Sequence, residues 1–123
     1  MASNKAGRDF FIDLGKNGVT SAVYLLTGEE SLLVDEAIRA LTKAVLPTGG
    51  DEFSHQVFLG AEAKGASVRQ SLETLSLFGG ERLIHVRDIA NMPSDELDAL
   101  AGYEDNPAPE TVLLLSGTAV DKR

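Results

Sequence analysis

With 123 residues, 19 of them acidic and 11 basic, the chain is long enough for one compact domain and, at a net charge of −8, too acidic to grip DNA phosphates directly. Cysteine is absent, which excludes a disulfide framework and a thiolate metal site. The hydrophobic share of 43% is that of a globular chain, and no apolar run reaches the roughly 20 residues of a bilayer span, so a cytoplasmic, membrane-free protein is expected.

Residues 1–20 read as a small polar tail followed by a short docking helix, and residues 21–123 as the domain proper. Met1–Arg8 is polar, and the start lacks the charged-then-apolar layout of a signal peptide. Phe10, Phe11 and Leu14 recur at helical spacing before Gly15 and Gly18 break the pattern. Ala22–Thr27 is a continuous apolar run that suits a strand covered on both faces, closed by Gly28. Over Glu29–Leu46 the period changes: Leu33, Ala37, Ile38, Leu41 and Val45 form one stripe of a helix. Glu29 and Glu30 stand where its N-terminus favours negative charge, and Pro47, Gly49 and Gly50 end it.

Phe53–Leu59 predicts a second strand, and Ala66–Leu75 a second helix with Val68, Leu72 and Leu75 on one face. Arg82–Arg87 is a third strand. Ser94, followed by Glu96 and Leu97, predicts an N-cap for a short helix through Ala101. Asn106, Pro107 and Pro109 make a turn, and Thr111–Ser116 is a fourth, apolar strand. Strands alternating with helices predict a parallel sheet with helices on its faces, a three-layer αβα domain. The chain stops at Asp121–Arg123, just past a buried strand, as a truncated piece of a longer protein would.

A strand ending in glycine and opening a helix is where a phosphate loop sits. A working loop needs Gly-x-x-x-x-Gly-Lys-Ser/Thr. Counted from Gly28, those last three places hold Leu33, Val34 and Asp35, and Glu29 and Glu30 repel phosphate. The third strand ends Val86-Arg87-Asp88-Ile89 with a single carboxylate, so Asp88 is read as a surface or capping residue rather than a magnesium ligand. His55 and His85 lie in strands without carboxylates at metal spacing and are read as structural. Ser31, Ser76 and Ser116 lack a nucleophile-elbow setting. No catalytic residue, cofactor or metal is expected. One feature is left over: Ser76, Leu77 and Phe78 run into Gly79-Gly80. By spacing alone, Leu77 and Phe78 fit a core plug somewhat better than an outward apolar anchor for a partner's pocket.

Taken together, Val23–Glu30 with Leu33, Asp51–Phe53, Leu72–Gly79, Arg82–Arg87, Asn106–Pro109 and Thr111–Leu115 with Asp121–Arg123 resemble the delta subunit family of the bacterial DNA polymerase III clamp loader. The resemblance implies a degenerate P-loop NTPase (AAA+/RecA-like) first domain, with helical lid and collar domains absent here. It implies a non-ATPase subunit of a DNA-directed DNA polymerase holoenzyme that binds the beta sliding clamp and opens the ring for loading onto primed DNA. ATP would be used by other loader subunits; delta-prime and gamma/tau would be met through the missing domains, and DNA only indirectly. The clamp-binding element would be Glu73, Thr74, Leu75, Ser76, Leu77 and Phe78, with Leu77 and Phe78 as the plug. Related clamp-binding peptides usually begin with glutamine, where this chain has Glu73. With the resemblance included, the anchor is favoured over the core plug. The alternatives are a divergent P-loop enzyme, a doubly wound receiver-like regulatory domain, and a generic interaction module.

Overall fold

The computed structural model describes residues 7–49, 53–74 and 80–118. Eight elements follow one another: α1 (Gly7–Asn17), β1 (Val23–Gly28), α2 (Ser31–Val45), β2 (His55–Leu59), α3 (Gly65–Glu73), β3 (Arg82–Arg87), α4 (Ser94–Asp98) and β4 (Thr111–Thr118). Short 3-10 turns at Ile89–Asn91 and Tyr103–Asp105 flank α4. The strands form one parallel sheet in the order β1-β4-β3-β2. The expected three-layer αβα architecture is what is observed. The order also separates it from receiver-like and dinucleotide-binding sheets, in which β2 lies beside β1; here they stand at opposite edges.

The pleat divides the core in two. Tyr24, Leu26, Leu83, Val112 and Leu114 point to one face, under α1 and α2 with Phe10, Ala37, Leu41 and Val45. Val23, Ile84, Val86 and Leu113 point to the other, against Val68 and Leu72 of α3, Met92, Leu100 and Tyr103. Central β3 and β4 are thus apolar at consecutive positions, as a strand covered twice must be. β2 is an edge strand whose Val57 and Leu59 remain half exposed, because the first helical layer does not extend over it.

Several expectations shift by a residue or a turn. α1 runs through Gly15 to Asn17 and stops at Gly18, whose positive φ of 71° lets its N–H reach the Leu14 carbonyl at 2.9 Å. The buried stripe of α2 is Val34, Ala37, Leu41 and Val45; Leu33 faces solvent and Ile38 only brushes the core. Ser94 is not the N-cap of α4: Pro93 holds that place, and the helix closes at Asp98. The work of Glu96 is elsewhere, since its carboxylate accepts the Gly65 N–H at 2.7 Å and caps the start of α3 from another helix. α3 ends at Glu73, and the Leu75 expected on its apolar face lies outside the described residues.

Both histidines lie in strands, as expected. His85 is 1% exposed and shares a 2.7 Å hydrogen bond between Nε2 and the Ser116 hydroxyl. Burial, then the positive charge of Arg87 and the nearness of His55, pushes its pKa down to about 4. Burial also lowers His55, whose Nε2 has no hydrogen-bond partner among the described residues. The unfolded chain therefore takes up a proton near the ordinary histidine pKa of 6.5 while folded His85 stays neutral until about 4. Stability is full above 6.5 and falls as the pH drops toward 4, by on the order of 3 kcal/mol. Urea unfolding across this range should show that loss, and His85→Gln, which keeps a hydrogen-bonding amide without titrating, should flatten most of it. An unchanged slope in the variant would assign the loss to other groups.

Candidate partner-binding site

Two regions could carry function, and they lie at opposite ends of the sheet. The carboxyl ends of the strands are where ligands of open parallel sheets bind. There a pocket of about 340 Å³ opens between β1, α1 and α2, lined by Phe10, Phe11, Leu25, Leu33 and Val34 among others. Glu29 and Glu30 are its exposed acidic edge. β1 ends at Gly28 and α2 begins at Ser31, so only two residues join them. A two-residue link cannot wrap a triphosphate, and a Cβ on Gly28 would already stand 3.3 Å from Val34. Leu33, Val34 and Asp35 fall on the first turns of α2 with no lysine or hydroxyl among them. At the end of β3, Asp88 is exposed in the left-handed region (φ 59°) and its carboxylate accepts a 2.9 Å bond from Asn91. Among the described residues, no group of three His, Asp or Glu is placed to hold a metal, and no helix is long and apolar enough to cross a membrane.

The second region is the carboxyl end of α3, at the amino edge of the strands. Of the six expected binding residues, Glu73 and Thr74 are described and exposed; Leu75, Ser76, Leu77 and Phe78 lie outside the described residues. Glu73 pairs with Arg69 at 2.8 Å, one turn earlier. The same Arg69 donates to the Ala99 and Ala101 carbonyls at 3.1 and 3.2 Å, tying α3 to the segment after α4. Thr74 returns its hydroxyl to the Gln70 carbonyl at 2.7 Å, and its backbone turns extended (φ −79°, ψ 124°). A shallow groove of about 450 Å³ runs alongside, lined by Ala66, Arg69, Gln70, Glu73, Thr74 and Ala99.

Sequence reasoning missed the residue beneath this helix end. Arg82 opens β3, is 2% exposed, and donates Nη1 to the carbonyls of Ser71 and Thr74 at 2.7 and 2.8 Å. A signal was available: Arg82, Ile84 and Val86 alternate along β3, so an arginine shares a face with two core residues. Within a parallel sheet that face must meet a helix, and α3 is the helix that enters β3.

Comparison with known proteins bears on this geometry. Residues 24–123 match the family profile for the DNA polymerase III delta subunit. The chain belongs to that family. Among solved structures, the Bacillus subtilis DNA clamp loader delta protein is similar at 26% identity and a TM-score of 0.76, over 96% of this chain and 38% of that one. The chain thus spans well under half the length of that relative. A DNA polymerase III gamma subunit-related protein from Thermotoga maritima shares the fold at 16% identity and a TM-score of 0.62, over 81% of this chain and 36% of that one. No curated protein sequence matches. The family and its AAA+-like fold agree with the resemblance drawn from the six sequence stretches.

The short, acidic β1–α2 connection makes a prediction for nucleotide. A ligand at 100 times its Kd raises stability by about 2.7 kcal/mol. Millimolar ATP with magnesium should leave the melting temperature of this chain unchanged. A saturable rise would show that the pocket beside Glu29 accepts nucleotide after all.

Proposed function

We propose that this chain is the first domain of a clamp-loader delta subunit, that it catalyses no reaction, and that it binds the beta sliding clamp through Glu73–Phe78. The observation that carries the proposal is the pairing of family membership with a phosphate loop reduced to two residues. A loader domain without nucleotide chemistry has binding left to do. The acid-rich composition favours a protein partner over direct contact with DNA. The lid and collar domains, and with them the contacts to delta-prime and gamma/tau, would lie in the remainder of the full subunit, and the assembly would work in the bacterial cytoplasm.

In this mechanism Leu77 and Phe78 enter an apolar pocket of the clamp. Burial of such side chains contributes roughly 1.5–3 kcal/mol each, enough to anchor a contact without covalent chemistry. Glu73, one turn from Arg69, stands at the polar end where related peptides carry glutamine. Ring opening follows if this domain binds the open or strained clamp better than the closed one, since a ligand shifts an equilibrium only by its differential affinity.

Binding of this chain to immobilised clamp, compared with Leu77→Ala/Phe78→Ala, tests the anchor. The double substitution should lower affinity by at least about 100-fold while circular dichroism is unchanged. Equal binding by both proteins would return Leu77 and Phe78 to the core. Tighter binding to an isolated clamp protomer than to the closed ring supports opening; identical affinities would overturn it.

A further inference from the structure

Arg82 is a cation taken out of water, and its surroundings state what it is for. Removing a charge from solvent costs several kcal/mol unless its donors are satisfied. Besides the two Nη1 bonds to Ser71 and Thr74, Nε donates to the Phe53 carbonyl at 3.3 Å, and the guanidinium lies 4.2 Å from the centre of the Phe53 ring. Nη2 has no hydrogen-bond partner among the described residues.

The acceptors at Ser71 and Thr74 belong to the last turn of α3. Carbonyls there carry the negative end of the helix dipole and have few backbone donors; Ser71 receives the Thr74 N–H at a long 3.4 Å. Many helices close this end with a left-handed glycine that folds the chain back. α3 does not: Thr74 is extended, so the chain leaves the helix instead of wrapping its carbonyls. Arg82 reinforces that weak closure from the neighbouring strand, with its guanidinium over the Phe53 ring.

We propose that Arg82 is a positioning residue for clamp recognition: it pins the carboxyl end of α3 to the sheet, so that the segment assigned to the clamp begins from a fixed Thr74. This rests on the assignment of Glu73–Phe78 to clamp binding and adds a residue that never touches the clamp. A segment that starts from a fixed point loses less conformational freedom on docking, which appears as affinity. Lysine is not equivalent, because its single ammonium lacks the separate Nε–H that reaches the Phe53 carbonyl and the planar guanidinium that lies over the Phe53 ring.

The test compares Arg82→Lys, Arg82→Gln and Phe53→Leu in the full 123-residue chain by hydrogen exchange across residues 65–74 and by affinity for immobilised clamp. Arg82→Lys and Arg82→Gln should speed exchange at the end of α3 and weaken clamp binding by about tenfold, with the far-UV spectrum retained. Phe53→Leu, which removes only the stack, should do both to a smaller degree, and it carries the test if Arg82→Gln fails to fold. Unchanged exchange, or faster exchange with unchanged clamp affinity in folded protein, overturns the proposal. Failure of the wild-type chain to bind clamp overturns the assignment of Glu73–Phe78 itself, and with it the recognition role; faster exchange in Arg82→Lys would then leave only a helix cap.

Discussion

Insertion of β4 between β1 and β3 is the constraint on which this domain depends. Among the described residues β1 pairs with no other strand, so the sheet exists as one unit only when β4 has entered its middle. The register Val23–Leu113 and Leu113–Ile84 then aligns three elements drawn from both ends of the sequence. Such pairing is non-local and entropically late, since loops must close before their contacts return any stability. It also explains why the centres of β3 and β4 are buried on both faces: both sides of the sheet's middle are roofed by helices.

That arrangement separates two ends with different chemistry. At the carboxyl edge the topology still offers a crevice, as open parallel sheets do, but its lining is aromatic and aliphatic and its rim is acidic. Backbone length matters there as much as side-chain chemistry. With α2 starting three residues after Gly28, there is no span of free amides to surround phosphate, whatever residues occupied it. The pocket is a consequence of the fold, and its two-residue connection with Glu29 and Glu30 is ill suited to phosphate.

Polar contacts converge along the whole of α3, whose carboxyl end lies at the amino edge. Glu96 caps its start from α4, Arg69 ties its middle to Ala99 and Ala101, and Arg82 holds its last carbonyls from β3. A helix of nine residues would be marginal in isolation. Here it is held at both ends and along one side by charged groups whose partners are distant in sequence. Close approach reinforces the hold: a Cβ on Gly65 would fall within 2.0 Å of the Glu96 carbonyl oxygen, so α3 and α4 meet with no room for a side chain. Whatever the chain presents after Thr74 is presented from a fixed support.

The sequence by itself determined the strand positions, the helix count around them and the lack of the phosphate-loop motif residues, because apolar runs, periodicity and residue type are local properties. It placed Leu72 and Val68 in the core and His55 and His85 in strands for the same reason. Helix faces were less secure: Leu33 and Val34 are adjacent apolar residues, and only the docking of α2 on β1 and β4 selects the second. Ser94 satisfied every local rule for a cap, yet the chain direction after Pro93 made the proline the boundary. The strand order, the remote capping by Glu96 and the buried role of Arg82 were decided by tertiary structure alone. Each joins residues many positions apart, and a spacing pattern along the chain carries no information about which distant carbonyl a charge will meet.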